Sequence, residues 1–163
     1  MFGIFKKHKS VDWSAKTFLS PANGKLIPIG KVSDPVFAQK AMGDGFAINP
    51  DSNDIYSPVS GKVTLVADTK HGIGISTDDG EEILVHMGID TVDLNGEPFK
   101  VYVSKGDKIS AGQKIATMNL DKVESAGKET TIIVVMTNSS DKGMKISLEP
   151  VTQIEHSELV AKV

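Results

Sequence analysis

From about residue 18 to its end, this 163-residue chain breaks into short runs rich in β-branched and aromatic residues, cut every few positions by Gly, Pro, Asn and Asp. Runs that short have no room for a 3.6-residue period, and turn chemistry at both ends of each run is the mark of strands joined by tight connections. The reading is an all-β domain, an antiparallel β-sandwich or barrel-like fold with at most short helical turns. Strands are expected over 61–67, 82–85, 99–103 and 130–136. One helical turn is expected within 34–42, with Asp34 as N-cap, Pro35 in the first helical position and Gly43 as the stop. Ser20-Pro-Ala-Asn-Gly-Lys-Leu26 is echoed by Ser57-Pro-Val-Ser-Gly-Lys-Val63, each a turn feeding a strand. The echo reads either as a duplicated β motif or as ordinary Ser-Pro-x-x-Gly punctuation.

The domain organisation expected is a flexible N-terminal tail over 1–17 and one domain over 18–163. In the tail, Phe2, Ile4 and Phe5 precede Lys6, Lys7 and Lys9, with no apolar stretch long enough for a secretory signal. Such a start supports at most weak contact with an anionic membrane. No run approaches the ~20 apolar residues of a membrane-spanning helix, and there are no cysteines. A soluble, cytoplasmic, monomeric protein is expected, without disulfides or thiol chemistry.

Net charge separates the remaining classes. At −3 the chain lacks the basic character of a nucleic-acid binder and suits a basic protein partner. All 18 of its basic residues are lysines, so no guanidinium fork is available to grip a phosphate. A partner that handles phosphate with this chain is therefore expected to bring the fork.

Two of the four histidines, His8 and His156, lie in polar surroundings and read as surface. His71 and His86 are separated by strand, turn and strand: 72–76, then Thr77-Asp-Asp-Gly-Glu81, then 82–85. A hairpin centred between Asp78 and Asp79 sets the two rings opposite each other, and a bulge at Gly80 slips the register by about one residue. Gly72, Gly74 and Gly88 flank the pair and let another backbone or a partner come close. A paired-imidazole site serves either metal ligation or nucleophilic phosphoryl transfer, one ring attacking while the other donates hydrogen bonds.

Several segments together resemble the glucose-family IIA phosphocarriers of the bacterial sugar phosphotransferase system. They are Ser57-Pro-Val-Ser-Gly-Lys-Val63, Thr69-Lys-His71, Val85-His-Met-Gly-Ile-Asp-Thr-Val92 and Gly96-Glu-Pro-Phe99. The resemblance extends over Pro35-Val-Phe-Ala-Gln-Lys40, the run from Met42 to Pro50, and Gly106-Asp-Lys-Ile-Ser-Ala-Gly112. It implies that His86 accepts a phosphoryl group from phosphorylated HPr and passes it to the IIB domain of a glucose-type permease, without a cofactor. It further implies that His71 hydrogen-bonds the phosphate, that Thr69 orients His71, and that the Gly88 carbonyl holds the second nitrogen of His86. A docking patch of Phe37, Ile73, Leu84 and Val92 with Asp90 at its rim is implied too, and so are regulatory targets.

Two rivals come from other classes. A zinc peptidase of the lysostaphin type has a similar histidine-bearing hairpin, but needs a His-x-His element where this chain has Leu84-Val85-His86. No resident metal is therefore expected, and zinc enters at most as a bridge between His71 and His86 completed by a partner's carboxylate. The second rival is a non-catalytic regulator that binds permeases or kinases.

Overall fold

The computed structural model describes residues 16–163. The expectations for Phe2, Ile4, Phe5, the early lysines and His8 lie outside the described residues. Strands run in order as β1 (Thr17–Leu19), β2 (Gly24–Pro28), β3 (Asp44–Pro50), β4 (Asp54–Tyr56), β5 (Gly61–Val66), β6 (Gly72–Ser76) and β7 (Glu82–Ile89). They continue with β8 (Phe99–Val101), β9 (Lys108–Ile109), β10 (Lys114–Met118), β11 (Glu129–Met136), β12 (Ser147–Leu148), β13 (Gln153–Ile154) and β14 (Leu159–Lys162). The helices are one turn, α1 (Pro35–Ala38), and a second short one, α2 (Leu120–Ser125), which the sequence reading did not single out.

All strand pairs are antiparallel, in an eight-stranded sheet ordered β13-β2-β3-β11-β7-β6-β5-β9 and two three-stranded sheets, β1-β14-β12 and β4-β10-β8. The small sheets close over one face of the large one. Phe46, Ile48, Ile73, Ile75, Ile83, Val85, Ile132 and Val134 of the large sheet share one core with Phe18, Ile55, Ile115 and Val160 of the small ones. The other face is covered only in part. Ile29, Val32 and Phe37 from the segment around α1 make a smaller core there with Ala47, Ile89, Ile133 and Val135.

The repeated Ser-Pro-x-x-Gly motif is one structure used twice. Ser20 Oγ donates to the Ala22 carbonyl at 2.7 Å, and Ser57 Oγ to the Val59 carbonyl at 2.6 Å. The two copies clasp each other reciprocally, Leu19 N–H to the Pro58 carbonyl and Tyr56 N–H to the Pro21 carbonyl. Each copy also takes the same pair of bonds from a later turn. Ser20 bonds with Ser157 and Glu158 as Ser57 bonds with Gly112 and Gln113. Both serines are fully buried, so their hydroxyls need those carbonyls. The matching bonds make the echo a repeated structural motif rather than a coincidence of turn residues.

The β6–β7 hairpin sets which residues reach the outer face of the large sheet. Thr77 and Glu81 close its loop, Gly80 takes φ of +87°, and Gly72 stands opposite His86. A three-residue loop with a left-handed glycine is the bulged kind of hairpin turn, and it moves every pairing by one residue from a loop centred between Asp78 and Asp79. That parity decides which side chains face out. His86 and Leu84 lie across from Gly72 and Gly74 on the outer face, while Ile73 and Ile75 lie across from Val85 and Ile83 in the core.

A paired-histidine candidate active site

His86 stands near the end of β7 on the outer face of the large sheet, at the edge of the segment that carries α1. Gly72 faces it on β6, so no side chain of the neighbouring strand stands opposite the ring, which is half-buried. His71 lies just before β6, where a turn closed by Lys70 N–H to the Ala67 carbonyl, with Lys70 at φ of +62°, lifts the chain out of the sheet. Its own carbonyl is held by the Met87 N–H at 2.7 Å. The two imidazoles meet edge to face with ring centroids 5.1 Å apart.

Each ring has one nitrogen already engaged. His86 Nδ1 is 2.8 Å from the Gly88 carbonyl oxygen, which can only accept, so Nδ1 carries the proton and Nε2 of the neutral ring keeps its lone pair. His71 Nδ1 is 2.7 Å from Thr69 Oγ1. When that hydroxyl donates, the His71 proton resides on Nε2. One ring then offers a lone pair and its neighbour an N–H, the combination needed to form a bond to phosphorus and to hold its oxygens.

Gly88 is placed by its own backbone. It sits at φ of +81°, and a Cβ there would collide with the Thr91 side chain. Thr91 Oγ1 in turn donates to the Met87 carbonyl at 2.6 Å, locking the turn that aims the Gly88 carbonyl at the ring.

Electrostatics keep both rings neutral. Burial pushes the His86 pKa below its ordinary 6.5 and the nearby His71 adds to the fall, against smaller upward pulls from the Gly88 carbonyl, Asp34 and Asp90. Burial also lowers the pKa of His71. A depressed value means the nucleophilic form prevails at neutral pH without a separate base.

The residues expected to form a docking patch divide. Val92 is 47% exposed, Asp90 is exposed, and Leu84 is half-buried on the outer face beside His86. Phe37 is mostly buried, with its ring 5.0 Å from that of His86. Ile73 is fully buried in the main core and offers a partner no surface. That corrects its place in the patch, and the reason is the one-residue register set by the hairpin loop.

Sequence reading missed three contributors. Val36 on α1 and Leu65 on β5 are each half-exposed apolar side chains, and Asp34 acts on His86 through its charge. A β-bulge between Val63 and Leu65 turns Leu65 outward onto Gly74, and nothing in Val-Thr-Leu-Val announces it. Among the described residues no group of three His, Cys, Asp or Glu side chains is placed to hold a metal ion.

Comparison with known proteins points one way. Residues 16–142 match the family model for the phosphoenolpyruvate-dependent sugar phosphotransferase system, EIIA 1. The chain is 40% identical over 145 residues to the "PTS system glucose-specific EIIA component" of Staphylococcus aureus strain COL, covering 89% of this chain and 86% of that protein. It is 47% identical over 144 residues to the "PTS system glucose-specific EIICBA component" of Streptococcus pneumoniae serotype 4, covering 88% of this chain but only 20% of that longer protein. The solved structure of glucose permease IIA from Mycoplasma capricolum superposes with a TM-score of 0.78 at 37% identity, covering 89% of this chain and 93% of that one.

Proposed function

The chain belongs to the EIIA 1 family of the sugar phosphotransferase system and is a phosphotransferase component acting through a histidine, and on that premise we propose that His86 Nε2 is the atom that carries the phosphoryl group. The observation that supports this most is the Gly88 carbonyl on Nδ1, which leaves Nε2 as the lone pair of a neutral ring. In the forward step that lone pair forms the N–P bond as the N–P bond of a phosphohistidine on HPr breaks. The electron pair of the broken bond returns to the donor imidazole. The proton on Nδ1 stays where it is, and its bond to the Gly88 carbonyl stabilises the positive charge the ring acquires.

His71 takes the role of phosphate ligand, with Thr69 fixing its orientation. Release to the IIB domain of a glucose-type permease reverses the same chemistry. No arginine is present to trap the phosphorylated form, and a partner's guanidinium supplies transition-state charge only while docked. The docking surface runs over Leu84, Val92 and the half-exposed Val36, with Asp90 and Asp34 as an acidic rim for a basic partner.

Glucose as the sugar, a cytoplasmic location, regulatory targets and a light membrane touch by the first residues belong to the same proposal. The names of the relatives support the first of these. Among the described residues no helix is long and apolar enough to cross a membrane. The test is incubation of the chain with phosphoenolpyruvate, enzyme I and HPr. An acid-labile, base-stable phosphate that vanishes in folded His86→Gln supports the proposal, and phosphate persisting on that variant removes it.

A further inference from the structure

We propose that Asp34 is a positioning residue for this site: its carboxylate caps α1 and, through that cap, holds the Phe37 ring as one wall of His86. The inference rests on the reading of His86 as the phosphoryl acceptor.

Asp34 Oδ1 accepts from Val36 N–H at 2.9 Å and from Phe37 N–H at 3.4 Å. Its backbone is extended, at φ −77° and ψ 116°, as the adjoining Pro35 requires, and Pro35 opens the helix. That helix is four residues long, too short to persist on intrinsic preference, so the cap and the packing of Phe37 are what hold it. Phe37 is the buried residue of α1, and its ring lies at 57° to that of His86 with centroids 5.0 Å apart. His86 is thus held on three sides, by Phe37, by the His71 edge and by the Gly88 carbonyl. With Phe37 displaced, the ring loses one of its three walls and water reaches that side.

The charged and titratable groups that act on His86 are His71 from the turn before β6, Asp34 at the start of α1, and Asp90 beyond β7. Asp34 therefore acts on His86 in two opposed ways. Its charge draws a proton to the ring, whereas its cap helps keep the ring buried and so repels one, and burial as a whole is the largest influence on His86. Asp34→Asn and Asp34→Ser keep a capping acceptor and remove the charge. Asp34→Ala removes both.

The experiment is an NMR titration of the His86 ring protons in the unphosphorylated protein, alongside initial rates of phosphorylation by phospho-HPr. In the Asn and Ser variants the His86 resonance should keep its ring-current displacement by Phe37 and titrate at lower pH than in the parent. In Asp34→Ala the displacement should shrink, the titration should move up toward the ordinary imidazole value, and the rate should fall below that of Asp34→Asn, by up to about fivefold, the change in capped-to-frayed ratio that a lost N-cap typically carries. Phe37→Leu, which spares the cap, should reproduce the upward titration of Asp34→Ala, and it serves as the reading if that variant folds poorly. Identical downward shifts in the Asn and Ala variants would mean that only the charge matters and would overturn the proposal. Because the titration needs no phosphate, it stands or falls separately from the assignment of His86 as acceptor.

Discussion

A carbonyl oxygen can only accept, and at Gly88 that single constraint decides which nitrogen of His86 is available. In the proposed mechanism His71 has the complementary task, and its substitution should show the difference between accepting phosphate and passing it on. His71→Gln should still be phosphorylated, because an amide donates a hydrogen bond, yet transfer to IIB should slow by roughly 100- to 1000-fold, the usual loss for one transition-state donor. Timed mass spectrometry after addition of IIB reads both steps, and unchanged transfer would take His71 out of the mechanism. The pH dependence has a definite sign. His86 titrates below its ordinary 6.5 in the folded chain, so phosphorylation should hold level down to that value and decline only at lower pH. Folding obeys the same linkage. Between the depressed folded pKa and ~6.5 the unfolded chain binds more protons, so stability is fully present above that window and falls as pH is lowered through it. Denaturant midpoints across pH in the parent and in His86→Gln isolate that part.

At the scale of elements, the β6–β7 hairpin carries most of what the site is. Its strands, its turn and the pairing of His71 with His86 were legible, because β-branched runs and Asp-Asp-Gly have direct local causes. The sequence also offered the one-residue slip at Gly80 but not the choice between the two registers, nor its consequence for Ile73. A loop of Asp78, Asp79 and Gly80 moves each pairing by one residue, and in a strand one residue exchanges the two faces, which is why Ile73 lies in the core instead of the docking patch. Leu65 escaped notice for a related reason, the bulge in β5. The capped turn at Asp34-Pro35 was legible, since its Asp-Pro signal is local, but the seating of Phe37 on His86 joins elements far apart in sequence. The turn after β7 gives a direct test of how far geometry governs chemistry. Gly88→Ala forces a side chain into a left-handed position against Thr91 and should cost about 1–3 kcal/mol of stability. It should also slow phosphorylation in the protein that remains folded, as the displaced carbonyl releases Nδ1. Urea unfolding and single-turnover phosphorylation measure the two effects, and a destabilised variant with parental rates would show that the carbonyl does not matter to the chemistry.

At the scale of the whole molecule, one Ser-Pro turn motif is used twice and one outer face of the large sheet is left partly open. The two Ser-Pro turns clasp each other beneath the small sheets, so Ser20→Ala and Ser57→Ala should each cost about 1 kcal/mol and by similar amounts, since each leaves one buried carbonyl short of a donor. Very unequal values by denaturant unfolding would mean that the copies are not energetically equivalent. The duplication was visible in sequence only as two seven-residue echoes, because the later turns at Gly112 and Ser157 that complete it share almost no residues. What they share is a left-handed backbone, at φ of +86° and +69°. On the open face the proposed reactive atom is Nε2 of His86, and the most direct measurement is phosphorus–nitrogen correlation NMR on the chain labelled at histidine nitrogen and phosphorylated through HPr. Coupling of phosphorus to Nε2 of His86, with Nδ1 still protonated against the Gly88 carbonyl, is the result predicted. Phosphorus bound to Nδ1 of His86, or to either nitrogen of His71, would contradict it.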